Sequence, residues 1–474
     1  MYSSNLLFFS LALLIITLSP IQNFASASFE EANALLKWKA SLEIPKNSLL
    51  SSWIPLPLNS SASVPCTSWF GVVCNADGSI QKLNLTSSGL KGMLHRFSFS
   101  LLHNLTHFNL SLNNFYGPIP PEIQLLSKLI YLDFSENKFS GVIPPEIGNL
   151  HQLTILYLYS NNISGPIPIE LGNLKSLTDL WMENNQLSGS IPSSFGNLTS
   201  LNRLYLYHNQ LVGLIPIELG NLKSLTQLSV YKNQLSGSIP SIIGNLTSLN
   251  VLSLFKNQLS GPIPFELGNL KSLSGLSVYN NQLSGSIPSS LGNLTSLNVL
   301  YLFQNQLTGP IPIELGNLKS LTDLELTNNE LSGSIPSSLG NLISLNVLSW
   351  WKNQLSGLIP IELGNLKSLT DLEASSNQLS GSIPSSLGNL TSLNVLYLFQ
   401  NQLSGPIPIE LGNLKSLTDL GVSDNKLNGS IPSSLANLSN IQWLNLGGNK
   451  LFGPIPSELG KLRSHSSFSE RKPS

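Results

Sequence analysis

The segment that decides the fold is LTDLWMENNQLSGSIPSSFGNLTS, residues 177–200. Leu177, Leu180 and Met182 alternate with polar residues, a spacing that predicts a short β-strand with one buried face. Asn185 follows where the chain must turn inward. Its side-chain amide can donate to and accept from backbone groups of neighbouring turns, so we expect a buried hydrogen-bonded ladder.

The second half of the segment returns the chain to its start. Gly189 allows a positive φ or a close backbone approach, and Pro192 prevents regular pairing and forces a bend. Phe195 and Leu198 then supply apolar residues for a short helical turn. The 24 residues therefore predict one coil with a strand on one side and a helical turn on the other.

This coil recurs along the chain about every 24 residues. The Asn185 column holds 15 asparagines at that interval from Asn113 to Asn449, and a degenerate copy with Ser88 in the Asn position precedes them. About 16 repeats result, over residues 79–463. A single coil cannot bury its leucines alone, so the coils must stack. The predicted fold class is an α/β solenoid, with a continuous parallel sheet on the concave face and short 3-10 or helical turns on the convex side.

Composition excludes several functions. The net charge is −1 and only 10% of the residues are charged. Nucleic-acid binding needs a basic surface to neutralise phosphates, so we expect no nucleic-acid partner. No residue pattern implies a cofactor or a metal site, and His103 and His107 are predicted to lie around a turn and a strand rather than on one helix face.

The first 27 residues resemble a secretory signal peptide. A mainly apolar run of 13 residues, Leu6 to Leu18, precedes the small-residue motif Ala25-Ser26-Ala27. The run is too short to span a bilayer, and we expect no membrane span in the chain. A buried amino-terminal helix is the alternative. In a secreted chain the two cysteines, Cys66 and Cys74, are expected to form one disulfide.

Two features resemble a known family. The Leu-Ser-Gly-x-Ile-Pro repeat is similar to the plant-specific class of leucine-rich repeat. Residues 31–42, then Leu49 to Trp53 and Cys66 to Cys74, resemble the amino-terminal cap of plant leucine-rich-repeat receptor-like kinases, most closely the group that interacts with the male-discoverer receptor. The resemblance implies a cap over 28–78 and a receptor ectodomain.

The carboxyl end departs from that family. After Leu462 the repeat pattern fails, because His465 takes a leucine position, and residues 464–474 read as an irregular tail. The membrane helix and kinase of the family do not follow, and the kinase loops are absent from the sequence. We therefore expect a truncated receptor product or a receptor-derived secreted form, without catalytic residues of its own.

Aromatic residues recur at the outward-facing strand positions, where they are favoured contacts for a ligand. The alternative is that these rings only cover neighbouring repeats. The candidate aromatic ligand-binding residues are Tyr157, Tyr159, Trp181, Tyr205, Tyr207, Tyr231, Phe255, Tyr279, Tyr301, Phe303, Trp351, Tyr397 and Phe399.

Charge is sorted along the same face, which suits an extended peptide that carries both signs. The basic candidates come first and the acidic ones follow, with Trp351 and Lys352 between the two acidic pairs. The candidate charged ligand-binding residues are Arg203, His208, Lys232, Lys256, Asp323, Glu325, Asp371 and Glu373.

Alternate repeats differ on the opposite side of the coil. One type carries Glu and Lys columns, including Glu218 and Lys223, which we expect to form weak surface ion pairs. The sequence also contains N-glycosylation sequons, which fit a secretory route and are expected to leave the concave face clear. The predicted glycosylation sites are Asn59, Asn84, Asn104, Asn109, Asn162, Asn197, Asn245, Asn293, Asn389, Asn428 and Asn437.

These features predict an extracellular or cell-surface protein that recognises a ligand. By resemblance, its partners are a secreted peptide or protein and a leucine-rich-repeat co-receptor kinase, in plant signalling or defence. The alternative is a free secreted binder such as an inhibitor of cell-wall hydrolases. That class has fewer repeats and cysteine caps at both ends, a pattern this chain does not match.

Overall fold

The computed structural model describes residues 26–55 and 64–462. Most of the predicted signal peptide, the Asn59 sequon and the carboxy-terminal tail lie outside the described residues. The chain divides into two units, Met1–Gln186 and Leu187–Ser474, and each is described by itself. Among the described residues, no helix is long and apolar enough to cross a membrane.

The first unit begins with a cap. Helix α1 (Ser26–Lys39) is followed by a 3-10 helix at Leu49–Ser52 and by helix α2 (Val64–Ser68). Strand Val72–Cys74 pairs antiparallel with Ile80–Asn84, the first strand of the repeats. The expected disulfide, Cys66–Cys74, joins α2 to strand Val72–Cys74.

Trp38 anchors the cap to the repeats, and Trp53 packs inside the cap. The Trp38 indole donates to the Met93 carbonyl at 3.1 Å and lies edge-on to Phe97 at 5.0 Å between ring centroids. Trp53 stacks on Trp69 at 5.3 Å. Both Trp38 and Trp53 are buried, so the cap covers the apolar end of the first coil.

Every coil contributes one short strand to a parallel sheet, as the Leu177–Met182 pattern predicts. Neighbouring strands pair leucine to leucine at the repeat interval, for example Leu228 with Leu252. In the first unit these strands are Ile80–Asn84, His107–Asn109, Tyr131–Asp133, Ile155–Tyr157 and Asp179–Trp181. In the second unit they are Arg203–Tyr205, Gln227–Ser229, Val251–Ser253, Gly275–Ser277, Val299–Tyr301, Asp323–Glu325, Val347–Ser349, Asp371–Glu373, Val395–Tyr397, Asp419–Gly421 and Trp443–Asn445.

A second ladder of short parallel strands follows the asparagine in most coils, and sequence reasoning missed it. The Leu-Ser-Gly motif forms these strands, and their pairing is shifted relative to the repeat interval, as in the pair Ser236 and Gln258. In the first unit the strands are Lys91–Gly92, Asn114–Gly117, Lys138–Gly141 and Asn162–Pro166, and Gln186–Gly189 begins at the boundary. In the second unit they are Gln210–Gly213, Gln234–Gly237, Gln258–Gly261, Gln282–Ser286, Gln306–Gly309, Glu330–Ser334, Gln354–Gly357, Gln378–Gly381, Gln402–Gly405, Lys426–Gly429 and Lys450–Leu451.

The predicted helical turns are 3-10 helices that begin after the repeat proline. Gly244 shows why glycine is needed there, because an added Cβ would lie 2.4 Å from the Glu266 carbonyl of the next coil. In the first unit these helices are Pro121–Leu125, Pro145–Asn149 and Ile169–Asn173. In the second unit they are Ser193–Asn197, Ile217–Asn221, Ser241–Asn245, Phe265–Asn269, Ser289–Asn293, Ile313–Asn317, Ser337–Asn341, Ile361–Asn365, Ser385–Asn389, Ile409–Asn413, Ser433–Asn437 and Ser457–Lys461.

The asparagine column forms the predicted buried ladder. The Asn257 Nδ2 donates to the carbonyls of Val230 (3.1 Å), Leu254 (3.0 Å) and Phe255 (3.4 Å). Its Oδ1 accepts the Leu235 N–H at 3.0 Å. Each asparagine therefore ties its own turn to the coil before it, while the leucine positions of the repeat fill the space between coils.

The residue before each asparagine has a left-handed backbone, which the sequence analysis did not foresee. Lys232 has φ 51° and Lys256 has φ 53°. Such a conformation strains most L-residues and strains β-branched ones most. None of the non-glycine residues with positive φ in the described part of the chain is β-branched.

Candidate ligand-binding face

The strand face is the side of the first strands that points away from the leucine core. Its side chains form three columns, each with one member per coil: the first strand residue, the third strand residue, and the residue two positions later. In one coil these are Arg203, Tyr205 and Tyr207. The predicted aromatic and acidic candidates, together with Arg203, occupy these columns, so the structure brings them onto one face within each unit.

The third column of the second unit carries five stacked rings, here named the aromatic ladder. Successive centroids are 4.3, 4.1, 4.3 and 4.1 Å apart, and adjacent planes differ by 7° to 13°. Each ring lies over the next, so the faces are largely covered and the edges are left toward solvent. The members are Tyr207, Tyr231, Phe255, Tyr279 and Phe303.

Two tyrosines of the second column flank the aromatic ladder. Tyr205 lies 6.1 Å from Tyr207, and its hydroxyl donates to the Gln227 side chain. Tyr301 lies 6.1 Å from Phe303 in an edge-on arrangement. Burial raises the pKa of Tyr301, and the nearby carboxylates Asp323 and Glu325 raise it further.

Beyond the aromatic ladder the second column becomes acidic. Glu325 and Glu373 stand two coils apart with Ser349 between them, and the Ser349 hydroxyl is 3.3 Å from a Glu373 carboxylate oxygen. Burial raises the pKa of both glutamates, and Asp323 adds to the rise at Glu325. Neither glutamate has a cationic partner within the described part of the chain.

The aspartates of the first column are each fixed by a hydrogen bond from the threonine that precedes them. Asp323 accepts a hydrogen bond from Thr322 at 2.5 Å, and Asp371 accepts one from Thr370 at 2.6 Å. Sequence analysis missed Asp419, which has the same arrangement one coil after Tyr397. The same column position could have identified it.

The basic candidates have a different location from the acidic ones. Arg203 is a first-column strand residue. His208, Lys232 and Lys256 occupy the left-handed turn position of three successive coils, and all three are exposed. They therefore line the edge of the strand face beside the aromatic ladder.

The remaining predicted rings of the second unit do not join the aromatic ladder. Trp351 is 39% exposed and stands two coils beyond Phe303, with Thr327 between them in the column. Tyr397 and Phe399 form a separate pair with centroids 5.7 Å apart.

The first unit carries its own aromatic group. Tyr157 stacks on Trp181 at 4.3 Å, and Tyr159 lies 5.9 Å from Trp181. Sequence analysis missed Tyr131 and Asp133 of the preceding strand, which stand in the first and second columns, with Asp133 paired to Tyr157. The Tyr131 hydroxyl donates to Asp133 at 2.9 Å, and burial raises the tyrosine's pKa.

The expected ion pairs between the Glu and Lys columns are wrong. Lys271 instead donates to two carbonyls, Gly268 of its own 3-10 helix at 3.1 Å and Asn293 of the next coil at 3.1 Å. The reason is that a 3-10 helix leaves its last carbonyls without partners, and the lysine reaches them. In the described residues the ion pair observed is Lys91–Glu43, in the first unit.

The expectation that glycans leave the strand face clear is also wrong for two sequons. Asn84 and Asn109 are the last residues of adjacent strands and pair in register. Each lies between two buried core residues, so strand alternation turns it outward onto the strand face. The sequons at Asn197, Asn245, Asn293, Asn389 and Asn437 instead end 3-10 helices, and Asn162 and Asn428 lie in the second ladder.

Family comparisons agree with this architecture. The family described as "Leucine Rich Repeat" matches ten stretches between residues 104 and 462. The "Leucine-rich repeat region" family matches 243–354, and the "Leucine rich repeat N-terminal domain" family matches 30–75. The chain is thus a leucine-rich-repeat protein with the amino-terminal cap of that class.

Individual proteins narrow the class. MDIS1-interacting receptor like kinase 2 of Arabidopsis thaliana is 50% identical over 111 residues, 23% of this chain and 10% of that protein. The plant peptide hormone receptor RGFR1, solved in complex with RGF2, is 40% identical with a TM-score of 0.77, over 85% of this chain and 68% of that one. The Arabidopsis receptor kinase HAESA, solved with the peptide hormone IDA and the co-receptor SERK1, is 34% identical with a TM-score of 0.71, over 93% of this chain and 81% of that one.

This chain belongs to the plant leucine-rich-repeat receptor family, in its ectodomain part. The resemblance stated from the cap and repeat motifs is confirmed. The matched segment spans only about a tenth of the curated receptor kinase's length.

Proposed function

We propose that the chain is the ligand-recognition part of a plant cell-surface receptor and binds an extended peptide, or an extended protein segment, along the strand face of Leu187–Ser474. The observation that carries this proposal is the aromatic ladder followed by half-buried carboxylates that have no cationic partner among residues 26–55 and 64–462. Peptide hormones bound to the receptors RGFR1 and HAESA support the same class of ligand.

The dimensions of the face suit an extended chain. The aromatic ladder advances in four steps of 4.1 to 4.3 Å between Tyr207 and Phe303. About five residues of extended peptide cover that distance, at roughly 3.3 Å per residue. Three further coils lead to Glu373, so a ligand of about ten residues reaches from the rings to the carboxylates at a coil spacing of roughly 4.8 Å.

The rings provide ordered apolar contact. Because each ring is packed between its neighbours, little side-chain entropy is lost when a ligand covers it. Covered faces also exclude a cation–π mode in the middle of the ladder. We expect the ligand to lie across the ring edges, with apolar side chains between them.

The carboxylates define the charge of one end of the ligand. Glu325 and Glu373 already bear the cost of partial burial, as their raised pKa values indicate. A ligand arginine or lysine placed between them would remove that cost and gain charge-assisted hydrogen bonds. Lys232 and Lys256 favour an acidic group at the opposite end.

The relatives suggest the setting of this binding event. Receptor ectodomains act outside the cell, so we propose an extracellular location and a leucine-rich-repeat co-receptor as a second partner. Recognition, rather than catalysis, is the proposed contribution of this chain.

The test uses a library of synthetic ten-residue peptides with varied end charges, measured by fluorescence anisotropy against the secreted chain. Peptides with a cationic end are expected to bind, and Glu325→Lys with Glu373→Lys is expected to lower their affinity at least tenfold. Reversing the peptide charge should recover part of that loss.

Ser277→Ala is the matched control, because Ser277 is half-exposed in the same column and faces no carboxylate pair. Circular dichroism checks that each variant is folded. Equal affinity of the charge-reversed and control variants for the best peptide would contradict the acidic half of the proposal. Equal affinity of a Tyr231→Ala and Tyr279→Ala double variant would contradict the role of the aromatic ladder.

A further inference from the structure

The sequons near the start of the repeats differ in what their amide nitrogens do. The Asn104 Nδ2 donates to the Ser79 hydroxyl at 2.8 Å, and its Oδ1 accepts from Lys128 at 2.6 Å. That hydroxyl in turn donates to the buried Glu31 carboxylate, so Asn104 belongs to an internal network. Its side chain stabilises the junction between the cap and the first coils.

Asn84 and Asn109 are arranged for a different purpose. The Asn84 Oδ1 accepts the Thr86 N–H at 3.1 Å, and the Asn109 Oδ1 accepts the Ser111 N–H at 2.8 Å. These bonds fix each amide, while neither Nδ2 has a hydrogen-bond partner among the described residues. The nitrogen to which an N-glycan attaches is therefore directed away from the backbone at both positions, on the strand face.

A shallow depression beside Asn84 can receive the first sugar. Its volume is about 400 Å³, and Val73, Lys82, Asn84 and Thr86 line it together with Phe70. Val73 is 49% exposed. An N-acetylglucosamine has one apolar face and several hydroxyls, so it suits a depression that combines an apolar wall with a lysine and a threonine.

The surrounding face changes character at this point. Lys82, Asn84, His107 and Asn109 are outward residues of the first two strands, and the tyrosines of the strand face begin at Tyr131. The part of the face with two sequons thus carries polar residues and one histidine, and the ring of that histidine, His107, stacks on Tyr131 of the next strand at 5.9 Å.

We infer that N-glycans on Asn84 and Asn109 cover the amino-terminal end of the strand face of the first unit. Adjacent strands are roughly 4.8 Å apart, so a glycan on either asparagine lies over the same patch. The two sites are therefore redundant: one occupied site is enough to mask Lys82 and His107. That the glycans restrict where a ligand can bind rests on the proposed function, whereas the glycan cover over Lys82 and His107 does not.

The first measurement is site occupancy on the full chain secreted from plant cells. Enzymatic deglycosylation in heavy-oxygen water converts each glycosylated asparagine to labelled aspartate, which mass spectrometry locates. Label is expected at Asn84 or Asn109, and Asn245 at the end of an exposed 3-10 helix serves as the positive control. Label at Asn245 with none at Asn84 and Asn109 would overturn the inference.

The second measurement is the acetylation rate of Lys82, which lies on the same strand and face as Asn84. Asn84→Gln or Asn109→Gln alone should leave the rate within about twofold of wild type, and the double variant should raise it at least fivefold. Lys46, an exposed residue of the cap, is the internal control. An unchanged Lys82 rate in the double variant would refute the mask.

A second pair of variants separates masking from side-chain effects. Thr86→Ala and Ser111→Ala destroy both sequons but keep the two asparagines and their backbone hydrogen bonds. This pair should give the same rise at Lys82 as the glutamine pair. A rise with the glutamine pair only would assign the effect to local structure and reject the glycans as its cause. Peptide affinity on the second unit is read separately, so its loss or retention bears on the proposed function alone.

Discussion

Replacement of Asn257 by alanine tests how much the buried asparagine ladder contributes to stability. The substitution removes four hydrogen bonds, three donated by Nδ2 and one accepted by Oδ1. Four independent bonds of about 1.5 kcal/mol would suggest a loss near 6 kcal/mol. The structure indicates a smaller value, because most of the partners are shared.

Each carbonyl that loses Asn257 keeps another donor. The Val230 carbonyl still accepts from Asn233 at 3.0 Å, and the Leu254 carbonyl still accepts from Asn281 at 3.2 Å. The Phe255 carbonyl still accepts the Lys232 N–H at 3.0 Å.

The Leu235 N–H bears most of the cost. Leu235 is fully buried, so water cannot replace the lost Oδ1 acceptor. An unsatisfied buried amide costs about 1 to 3 kcal/mol, and the loss of shared bonds adds about 1 kcal/mol. We therefore expect Asn257→Ala to lower the free energy of unfolding by about 3 kcal/mol.

Urea denaturation followed by circular dichroism measures the global effect, and hydrogen exchange of the Leu235 amide measures the local one. Local exchange matters because a repeat array can unfold in parts. Asn250→Ala is the control, since Asn250 is an exposed asparagine of the same coil, and it should change stability by less than about 0.5 kcal/mol. Equal stability of the two variants, with unchanged exchange at Leu235, would refute the reasoning.

Three further predictions concern packing and charge. Gly244→Ala should lower the free energy of unfolding in urea by about 3 kcal/mol, because the added Cβ would overlap a backbone carbonyl. Gly275→Ala is the control: no atom lies within 4 Å of an added Cβ there, so this substitution should be neutral or slightly stabilising. Trp350→Leu and Ala374→Leu should each lower the free energy of unfolding by about 2 kcal/mol, because these two buried residues occupy one core column on neighbouring coils. The double variant restores two leucines, so its free energy of unfolding should lie within about 1 kcal/mol of wild type. Additive losses in this double-mutant cycle would show that the two substitutions do not compensate each other. The raised pKa of Glu373 means that the folded state holds the carboxyl proton more tightly than the unfolded state, so stability should fall as pH rises through that pKa. Affinity for a cationic peptide should rise over the same pH range, because the carboxylate becomes charged. Glu373→Gln should flatten the pH profiles of stability and of affinity, and unchanged profiles would contradict this prediction.

The sequence was sufficient for the features that a 24-residue period imposes. The core leucines, the asparagine ladder and the 3-10 helices follow from one copy such as residues 177–200, because every copy must satisfy the same packing. The second strand ladder did not follow, since glycine, serine and proline are poor strand formers alone and pair only when a neighbouring coil fixes them. The lysine contacts to carbonyls were missed for a similar reason: one acceptor of Lys271, the Asn293 carbonyl, belongs to the next coil.

The candidate face was predictable in membership but not in arrangement. Column positions identified Tyr231 and Phe255, yet only the structure shows that their ring centroids are 4.1 Å apart and that their ring planes differ by 12°. Outward side chains have no packing partner that fixes them from sequence, so ring angles depend on both neighbours. The outward position of Asn109 is also readable from the sequence, because it lies between Phe108 and Leu110, two core residues of the strand.

The repeat separates the residues that stabilise the fold from the outward residues of the strand face, and this separation explains where the variation lies. The asparagine column is constant from Asn113 to Asn449, whereas the third column of the strand face changes from Phe303 to Thr327 and then to Trp351. A substitution in that column leaves the leucine core and the asparagine ladder intact, so the stacked coils can tolerate many combinations of outward residues. Thr327 ends the aromatic ladder, and the half-buried carboxylates begin on the same coil with Glu325. The boundary between rings and carboxylates is therefore set by single outward residues, on a scaffold whose asparagine ladder continues across it.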